Sequence, residues 1–233
     1  AYRNRPEMGT VASSMRSYRS EITRHNRLIF FGIPAVIAAF LAVGMSTNWR
    51  QILVAFTGGS FGKKDSQFGF DVSFFVFRLP LIDLIVTFLL TLLGISLVAC
   101  LIAYYLLGSM RISPKAKASK PARIHMGILL AISSVMVGVT YFIDRWMMGY
   151  GQNSPTDGAR YTDVHAIIPA RTILAVIALI VAALFVFAAF RGGWYLPAAG
   201  IAVTVVSALV IGVGYPFIIQ QFRVRPNERE LES

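Results

Sequence analysis

The chain has 233 residues, of which 56% are hydrophobic and 14% are charged, and its formal net charge is +11. A soluble domain usually has about a quarter charged residues and fewer than half apolar ones, so this composition excludes an ordinary soluble protein. The single cysteine, Cys100, also excludes an internal disulfide and a cysteine-rich metal site.

Apolar residues fall in blocks of about 20, the length that a helix needs to cross a hydrocarbon core of about 30 Å. The alternation of apolar and polar residues that marks the strands of a membrane barrel is absent. The sequence therefore predicts an all-α, polytopic integral membrane bundle. Its five predicted spans are residues 28–46, 79–108, 124–146, 172–190 and 194–215.

These spans divide the chain into three predicted regions. Residues 1–27 form a cytoplasmic basic segment, residues 28–215 the transmembrane bundle, and residues 216–233 the start of an extracytoplasmic linker or domain. The chain begins at Ala1, and "AYRNRPEM" lacks the charged-then-apolar layout of a signal peptide. We therefore expect it to be part of a longer chain.

Basic residues are concentrated in alternate loops. The amino-terminal segment has six arginines and two glutamates, the loop from Arg111 to Arg123 has five basic residues and no acid, and Arg191 lies between the last two spans. These segments therefore hold ten of the eleven net positive charges. Because Lys and Arg favour cytoplasmic loops, we expect a multi-pass plasma-membrane protein with its amino end in the cytoplasm and its carboxyl end outside.

The same basic loops indicate what they contact. They border the spans directly and lack the interleaved aromatic residues of nucleic-acid-binding modules. Attraction to anionic lipid head groups, worth about 1 kcal/mol per basic side chain near the surface, explains them more simply. The sequence predicts membrane lipids as partners at these loops and no nucleic acid.

Two predicted outer loops, residues 48–78 and 147–171, are longer than tight connections require. The first begins with Trp49 and an apolar run to Phe56, which predicts a short helix at the membrane interface that ends at the following glycine pair. The phenylalanine-rich stretch "KKDSQFGFDVSFFVFRLP" follows and ends at Pro80, a suitable residue for the start of the second span. We predict an ordered cap on the membrane surface.

Acidic and histidine residues of these loops are the candidates for a site. Asp163 and His165 are two residues apart, a spacing that suits neither two metal ligands on one helix face nor a known dyad. Catalytic motifs are missing, and "GGSFGKK" lacks the spacing of a phosphate loop. Structural capping is thus favoured over catalysis or metal binding, and no cofactor is predicted. The candidate docking residues are Asp65, Phe68, Asp71, Tyr161, Asp163 and His165.

The middles of all five predicted spans lack ionisable residues, which ion-coupled transporters usually place there. Polar residues lie nearer the outer ends, where Asp83, Thr87 and Thr91 share one face of the second span. They either pair between helices, the favoured interpretation, or line a shallow outward-facing vestibule. The candidates for this pairing or vestibule are Asp83, Thr87, Asp144, Arg145 and Arg171.

Small residues recur at a spacing of four in the later spans. This spacing lets two helices approach closely within a membrane, and so it predicts a packed bundle. The pairs are Gly127 with Ala131, Ser134 with Gly138, and Ala178 with Ala182.

Three strings resemble the signature stretches of a known family: "FGKKDSQFGFDVSFFVFRLP", "GARYTDVHAIIPARTILAVIALI" and "YPFIIQQFRVRPNERE". In sequence and order they are similar to uncharacterised protein family 0182, large membrane proteins found chiefly in actinobacteria. The resemblance runs along the whole chain. It implies about seven spans followed by a large extracytoplasmic domain, with spans three to seven in this chain. It implies no established activity and no catalytic residue.

Two functions follow as hypotheses. The first is a non-enzymatic anchor or scaffold in the cell envelope, whose partners are its own extracytoplasmic domain or other envelope proteins. The second is a transporter or lipid-handling protein that uses Asp83 and Asp144 as an outer vestibule. A continuous path for lipid or water between the second and third spans would favour the second hypothesis. An enzyme is the less favoured interpretation.

Overall fold

A computed structural model of the chain describes residues 31–65, 67–106, 119–147, 166–192 and 195–224. These residues are largely helical and contain no strand beyond an isolated bridge between Lys64 and Asp71. The helices are α1 (Ile33–Ser46), α2 (Trp49–Thr57), α3 (Leu79–Leu106), α4 (Lys120–Met147), α5 (Ile168–Arg191), α6 (Tyr195–Ser207) and α7 (Tyr215–Ile219).

Four continuous helical stretches are long and apolar enough to cross a membrane, and α1 is a shorter apolar helix of 14 residues. The predicted all-α membrane bundle is therefore confirmed, and the predicted short helix after Trp49 is confirmed as α2. The four long stretches are Phe74–Tyr105, Lys120–Met147, Ile168–Arg191 and Tyr195–Phe222.

Two helical stretches extend beyond the predicted spans and continue through a proline. The α-helix of the second span begins at the predicted Leu79, but a π-helical segment extends the stretch back to Phe74. The last stretch continues past the predicted end at residue 215 to Phe222. Proline lacks an N–H, so the carbonyl four residues earlier loses its usual donor. The helix widens to a π-type turn just before each proline, where the Leu79 amide donates to the carbonyl oxygen of Phe74 and the Tyr215 amide to that of Val210, and the helix continues.

Most π-helical segments in the described part of the chain precede a proline. In four cases one residue separates the end of the π-helical segment from a proline, and the helix continues beyond that proline. The segments are residues 31–32, Phe74–Arg78, residues 166–167 and Ala208–Gly214, and the corresponding prolines are Pro34, Pro80, Pro169 and Pro216.

The pair α4–α5 is the most closely packed part of the bundle. A Cβ atom added at Gly127 would lie 2.5 Å from the Ala189 Cβ, so the two backbones touch at this point. The Ser134 hydroxyl donates a hydrogen bond of 2.8 Å to the carbonyl oxygen of Ala178 across the same interface. Small residues at a spacing of four therefore do mediate close helix contact, as the sequence predicts.

The remaining helices flank this pair on two sides. On one side, α3 packs against α4 around buried Phe75, Leu79, Val86 and Ile143. On the other, α6 packs against α5, where a Cβ atom at Gly200 would lie 2.6 Å from the Phe185 ring. Helix α1 lies apart and has no buried residue.

One end of the bundle is formed by basic and capping residues, and we call it the basic face. The Arg123 Nε donates to the carbonyl oxygen of Ala189 at 2.9 Å, which caps the end of α5. Gly192 has a φ of 82°, which turns the chain away from α5. The Tyr104 hydroxyl at the end of α3 lies 2.8 Å from the Nδ1 of His125 near the start of α4.

The opposite end, the loop face, is formed by the segment at residues 58–73, the start of α3, the end of α4 and the start of α5. The Trp146 ring at the end of α4 lies 5.8 Å from the Phe74 ring at the start of the second span. A Cβ atom at Gly212 would lie 3.3 Å from the Leu174 side chain, so the last helical stretch also runs toward this face. The chain thus enters α1 from the basic face and leaves α7 at the loop face.

Candidate functional site

The loop at residues 58–73 is organised around the carboxylate of Asp71. This carboxylate accepts hydrogen bonds from the Ser60 hydroxyl at 2.5 Å and from the amides of Phe61, Gly62 and Ser73 at 3.2, 2.9 and 2.8 Å. The Ser60 hydroxyl and the other donors favour the ionised form and lower the pKa of Asp71 below its ordinary value. One side chain therefore joins both ends of the loop and caps the helix that follows.

Asp65 holds the tip of the same loop. Its carboxylate accepts from the amides of Gln67 and Phe68 at 2.9 and 2.7 Å, and its own amide donates to the carbonyl oxygen of Phe70 at 2.8 Å. Gly69 supplies the positive φ of 73° that the turn requires. Both acidic docking candidates of this loop thus bind loop amides, and a docking role for them stays a prediction.

A cluster of aromatic rings fastens the loop to the end of α4. The Phe70 ring centroid lies 5.1 Å from that of Phe74 and 5.9 Å from that of Trp146. The docking candidate Phe68 lies 6.1 Å from Phe75, which is only 4% exposed. Aromatic pairs of this kind contribute about 0.5–1.5 kcal/mol each beyond area burial, so the loop is held to the bundle at several points.

The other end of the loop requires a glycine. Gly58 ends α2, and a Cβ atom there would lie 2.6 Å from Cγ of Phe77 and 2.8 Å from the carbonyl oxygen of Val54. The Phe77 ring in turn contacts the Phe61 ring edge-on at 5.3 Å. Helix α2, the loop and the start of α3 are therefore one packed unit.

Beneath the loop, polar residues join α4 to α5. Asp144 Oδ2 and an Arg171 guanidinium nitrogen lie 2.9 Å apart, and these side chains are 24% and 29% exposed. The Arg171 guanidinium also lies 5.4 Å from the Tyr141 ring. Asp83 on α3 is close enough to Asp144 for the two carboxylates to interact electrostatically. The structure thus brings three of the five sequence candidates together.

Arg145 forms the second connection between these helices. Its guanidinium donates to the Thr172 hydroxyl at 3.1 Å and lies 4.2 Å from the Phe142 ring centroid. Its Nε is buried and has no hydrogen-bond partner among the described residues. Thr87 is exposed, and no described contact joins it to this cluster. Whether the cluster serves pairing alone or a vestibule stays a prediction.

Three docking candidates, Tyr161, Asp163 and His165, lie outside the described residues, as do residues 107–118 of the predicted basic loop. Within the ranges that the structure describes, no group of three or more His, Cys, Asp or Glu residues could hold a metal ion.

Sequence analysis missed an apolar groove between α1 and α3. Its volume is about 890 Å³, and it is lined on one wall by Ile37 and Leu41 and on the other by Leu92 and Ile95, with Trp49 at its end. No sequence signal indicates it, because both helices are apolar around most of their circumference. The groove depends on how far apart the two helices lie.

Comparison with known proteins relates the whole chain to one family. The sequence model of the uncharacterised protein family UPF0182 matches residues 1–233. Similar proteins include the UPF0182 protein of Kocuria rhizophila, 38% identical over 234 residues, that of Micrococcus luteus, 37% identical over 237 residues, and the UPF0182 protein FRAAL6027 of Frankia alni, 37% identical over 236 residues. No solved structure matches the chain.

Each of these alignments covers 100% of this chain but only 23% or 24% of the relative. The chain therefore spans about a quarter of the length of the curated relatives that it matches. Their names state no activity, substrate or partner.

Proposed function

We propose that this chain, which belongs to the uncharacterised protein family UPF0182, is a non-enzymatic membrane anchor whose loop face supports extramembrane structure in the cell envelope. The observation that carries the proposal is the ordered loop at residues 58–73, fixed by Asp71 and by the aromatic contacts to Trp146. A connection that only links two helices does not need its ends tied together by a carboxylate and its tip packed on a neighbouring helix.

The loop surface has the composition of a binding surface. Phe61 and Phe70 are 54% and 44% exposed, and Lys63 and Lys64 beside them are also exposed. Aromatic side chains are enriched in protein interfaces, and a rigid surface loses little conformational entropy on binding. These features support a docking role for this loop.

The course of the chain supports the same proposal. The stretch Tyr195–Phe222 runs toward the loop face, so it ends at the same end of the bundle as the loop. The curated relatives are about four times as long as this chain, and their additional length is a candidate for what the loop face supports. The extramembrane part of the same protein is therefore the partner that we propose first, and other envelope proteins second.

The proposed orientation places the basic face in the cytoplasm. Lys120, Arg123 and Arg191 lie at that face, and basic residues next to spans favour the cytoplasmic side. Anionic lipid head groups are the partners proposed for these side chains. The loop face is then extracytoplasmic, and the membrane is the plasma membrane.

Lipid handling is the second candidate function, and the apolar groove beside α1 is the observation that favours it. The polar cluster supports this function less, because Asp144 pairs with Arg171 and Arg145 binds Thr172. These contacts hold α4 against α5 and use the groups that a vestibule would need.

Site-specific photo-crosslinking in intact cells tests the anchor function. A photoreactive residue replaces Lys63 on the loop face in the full-length protein, and a matched variant carries it at Lys120 on the basic face. Both lysines are exposed in this structure. We expect the Lys63 position to crosslink to the extramembrane part of the same chain or to one envelope protein, and the Lys120 position not to. Identical products at both positions, or only lipid adducts at Lys63, would contradict the proposal.

Thiol labelling tests the orientation separately. In full-length protein from which Cys100 and any cysteine outside this chain have been removed, a membrane-impermeant maleimide applied to intact cells should label Lys63→Cys and spare Lys120→Cys. Labelling of Lys120→Cys alone would reverse the orientation.

A further inference from the structure

Basic side chains give the loop face its exposed charge. Lys63 and Lys64 in the loop and Arg78 just before α3 are exposed. Asp65 and Asp71 are half-buried, and their carboxylates accept hydrogen bonds from loop amides. The charged groups exposed in the described part of the loop face are therefore basic, and an acidic partner would complement them.

The chain carries acidic residues where it continues beyond the last helical stretch. The stretch Tyr195–Phe222 runs toward the loop face. Residues 226–233, which we call the acidic segment, contain three glutamates and one arginine. The glutamates are Glu228, Glu230 and Glu232, and alternate residues of an extended chain lie on the same side. All three carboxylates can therefore face one surface together.

The acidic segment is long enough to reach the loop. Helix α6 packs against α5, and α5 packs against α4, where the loop contacts the Trp146 ring. Packed helices lie about 8–10 Å apart, so at most about 20 Å separates the last stretch from α4 across the bundle. Residues 225 to 232, if extended, span up to about 26 Å. The tether therefore covers this distance.

Resting on the anchor function proposed above, we propose that the acidic segment docks on Lys63 and Lys64, so that the chain beyond the bundle is held against the loop. Each exposed ion pair favours contact by up to about fivefold. Covalent connection to the bundle keeps the segment at an effective concentration on the order of millimolar, which untethered acidic partners do not have. The contact sets where the extramembrane part of the protein starts relative to the bundle.

Disulfide formation in the full-length protein tests this contact. Gln67→Cys lies beside the lysines at an exposed position, and Leu231→Cys lies between two of the glutamates, in a background without other cysteines. With dissolved oxygen and a copper catalyst as the oxidant, we expect this pair to form a disulfide in native membranes. The matched pair of Lys120→Cys with Leu231→Cys should not form one, because Lys120 lies at the basic face.

Charge reversal identifies the groups responsible. Lys63→Glu together with Lys64→Glu should lower the rate of disulfide formation about tenfold, since two attractive pairs are lost. Adding Glu228→Lys and Glu230→Lys should restore the rate, which a misfolded loop would not allow. Salt at 1 M should also lower the rate in the original charge arrangement, because it shortens the screening length to about 3 Å.

Three results would overturn the proposal: no disulfide between positions 67 and 231, a rate that charge reversal leaves unchanged, or no restoration by the reversed glutamates. The photo-crosslinks from Lys63 then separate this failure from failure of the anchor function. Crosslinks to a later part of the chain or to one envelope protein would leave the anchor function standing with a different occupant. Crosslinks to lipid alone would overturn both.

Discussion

Replacement of Gly127 by alanine should separate α4 from α5. The added Cβ atom would lie 2.5 Å from the Ala189 Cβ, 3.2 Å from the Ala189 Cα and 3.3 Å from the carbonyl oxygen of Phe185. Two carbon atoms in favourable contact lie about 3.5–4.0 Å apart, so the helices must move apart by about 1 Å at this point. Two of the obstructing atoms belong to backbone, which cannot rotate away as a flexible side chain does.

The expected cost is about 1–3 kcal/mol, the usual range for overpacking a well-packed interface. Gly138 provides a graded comparison, because a Cβ atom there would lie 3.3 Å from the carbonyl oxygen of Ala175, which is a milder conflict. Gly94 on α3 is the matched control, since a Cβ atom there would have no neighbour within 4 Å. Stability should therefore fall most for Gly127→Ala, less for Gly138→Ala and not at all for Gly94→Ala.

Thermal unfolding of the full-length protein in one detergent measures this ranking, with each variant compared with wild type. Ala189→Gly removes the nearest obstructing atom, so adding it to Gly127→Ala should restore part of the lost stability. The reasoning is refuted if Gly127→Ala unfolds at the same temperature as Gly94→Ala. It is also refuted if Ala189→Gly destabilises the Gly127→Ala variant as much as it destabilises wild type.

The remaining predictions concern two carboxylates of the loop face. Since the folded pKa of Asp71 is lowered, its contribution to loop stability should be complete above its ordinary pKa of about 4 and should be lost as the pH falls below that value. Hydrogen exchange of the Gly62 and Ser73 amides should therefore become less protected in acid, and Asp71→Ala should remove the protection at pH 7; unchanged protection in Asp71→Ala would contradict the capping role. Asp144→Asn should lower stability by about 1–2 kcal/mol, between the values for exposed and buried ion pairs. Thermal unfolding of Asp144→Asn, Arg171→Gln and the double variant should show less than additive losses; unchanged unfolding together with altered transport would favour the vestibule instead.

The helical architecture is predictable from the sequence because the membrane imposes it. Apolar blocks of sufficient length must form helices that satisfy their own backbone groups, and small residues at a spacing of four mark the close contact of α4 with α5. The boundaries are less predictable, since Pro80 and Pro216 resemble helix ends in sequence. In the structure, π-helical turns let both helices continue through these residues.

The site is only partly predictable. Asp144 and Arg171 are candidates from sequence because ionisable residues near the ends of spans are rare and need partners. The role of Asp71 is not predictable, since its donors Ser60 and Phe61 are ten and more residues away and are brought near only by the fold of the loop. The groove beside α1 also has no sequence signature, because its lining is as apolar as any lipid-facing surface.

The helices pack less closely from α5 toward α1, because they are surrounded by lipid and not by water. Lipid gives apolar helices no drive to associate, so contact requires small residues or interhelical hydrogen bonds. Helices α4 and α5 have both. In α1, Gly32 and Gly44 have no neighbour within 4 Å of an added Cβ atom, and the Ser46 and Thr47 hydroxyls donate to carbonyl oxygens of α1 itself. The closely packed helices thus carry the loop face and give it a rigid support, whereas α1 is held to the bundle by fewer contacts.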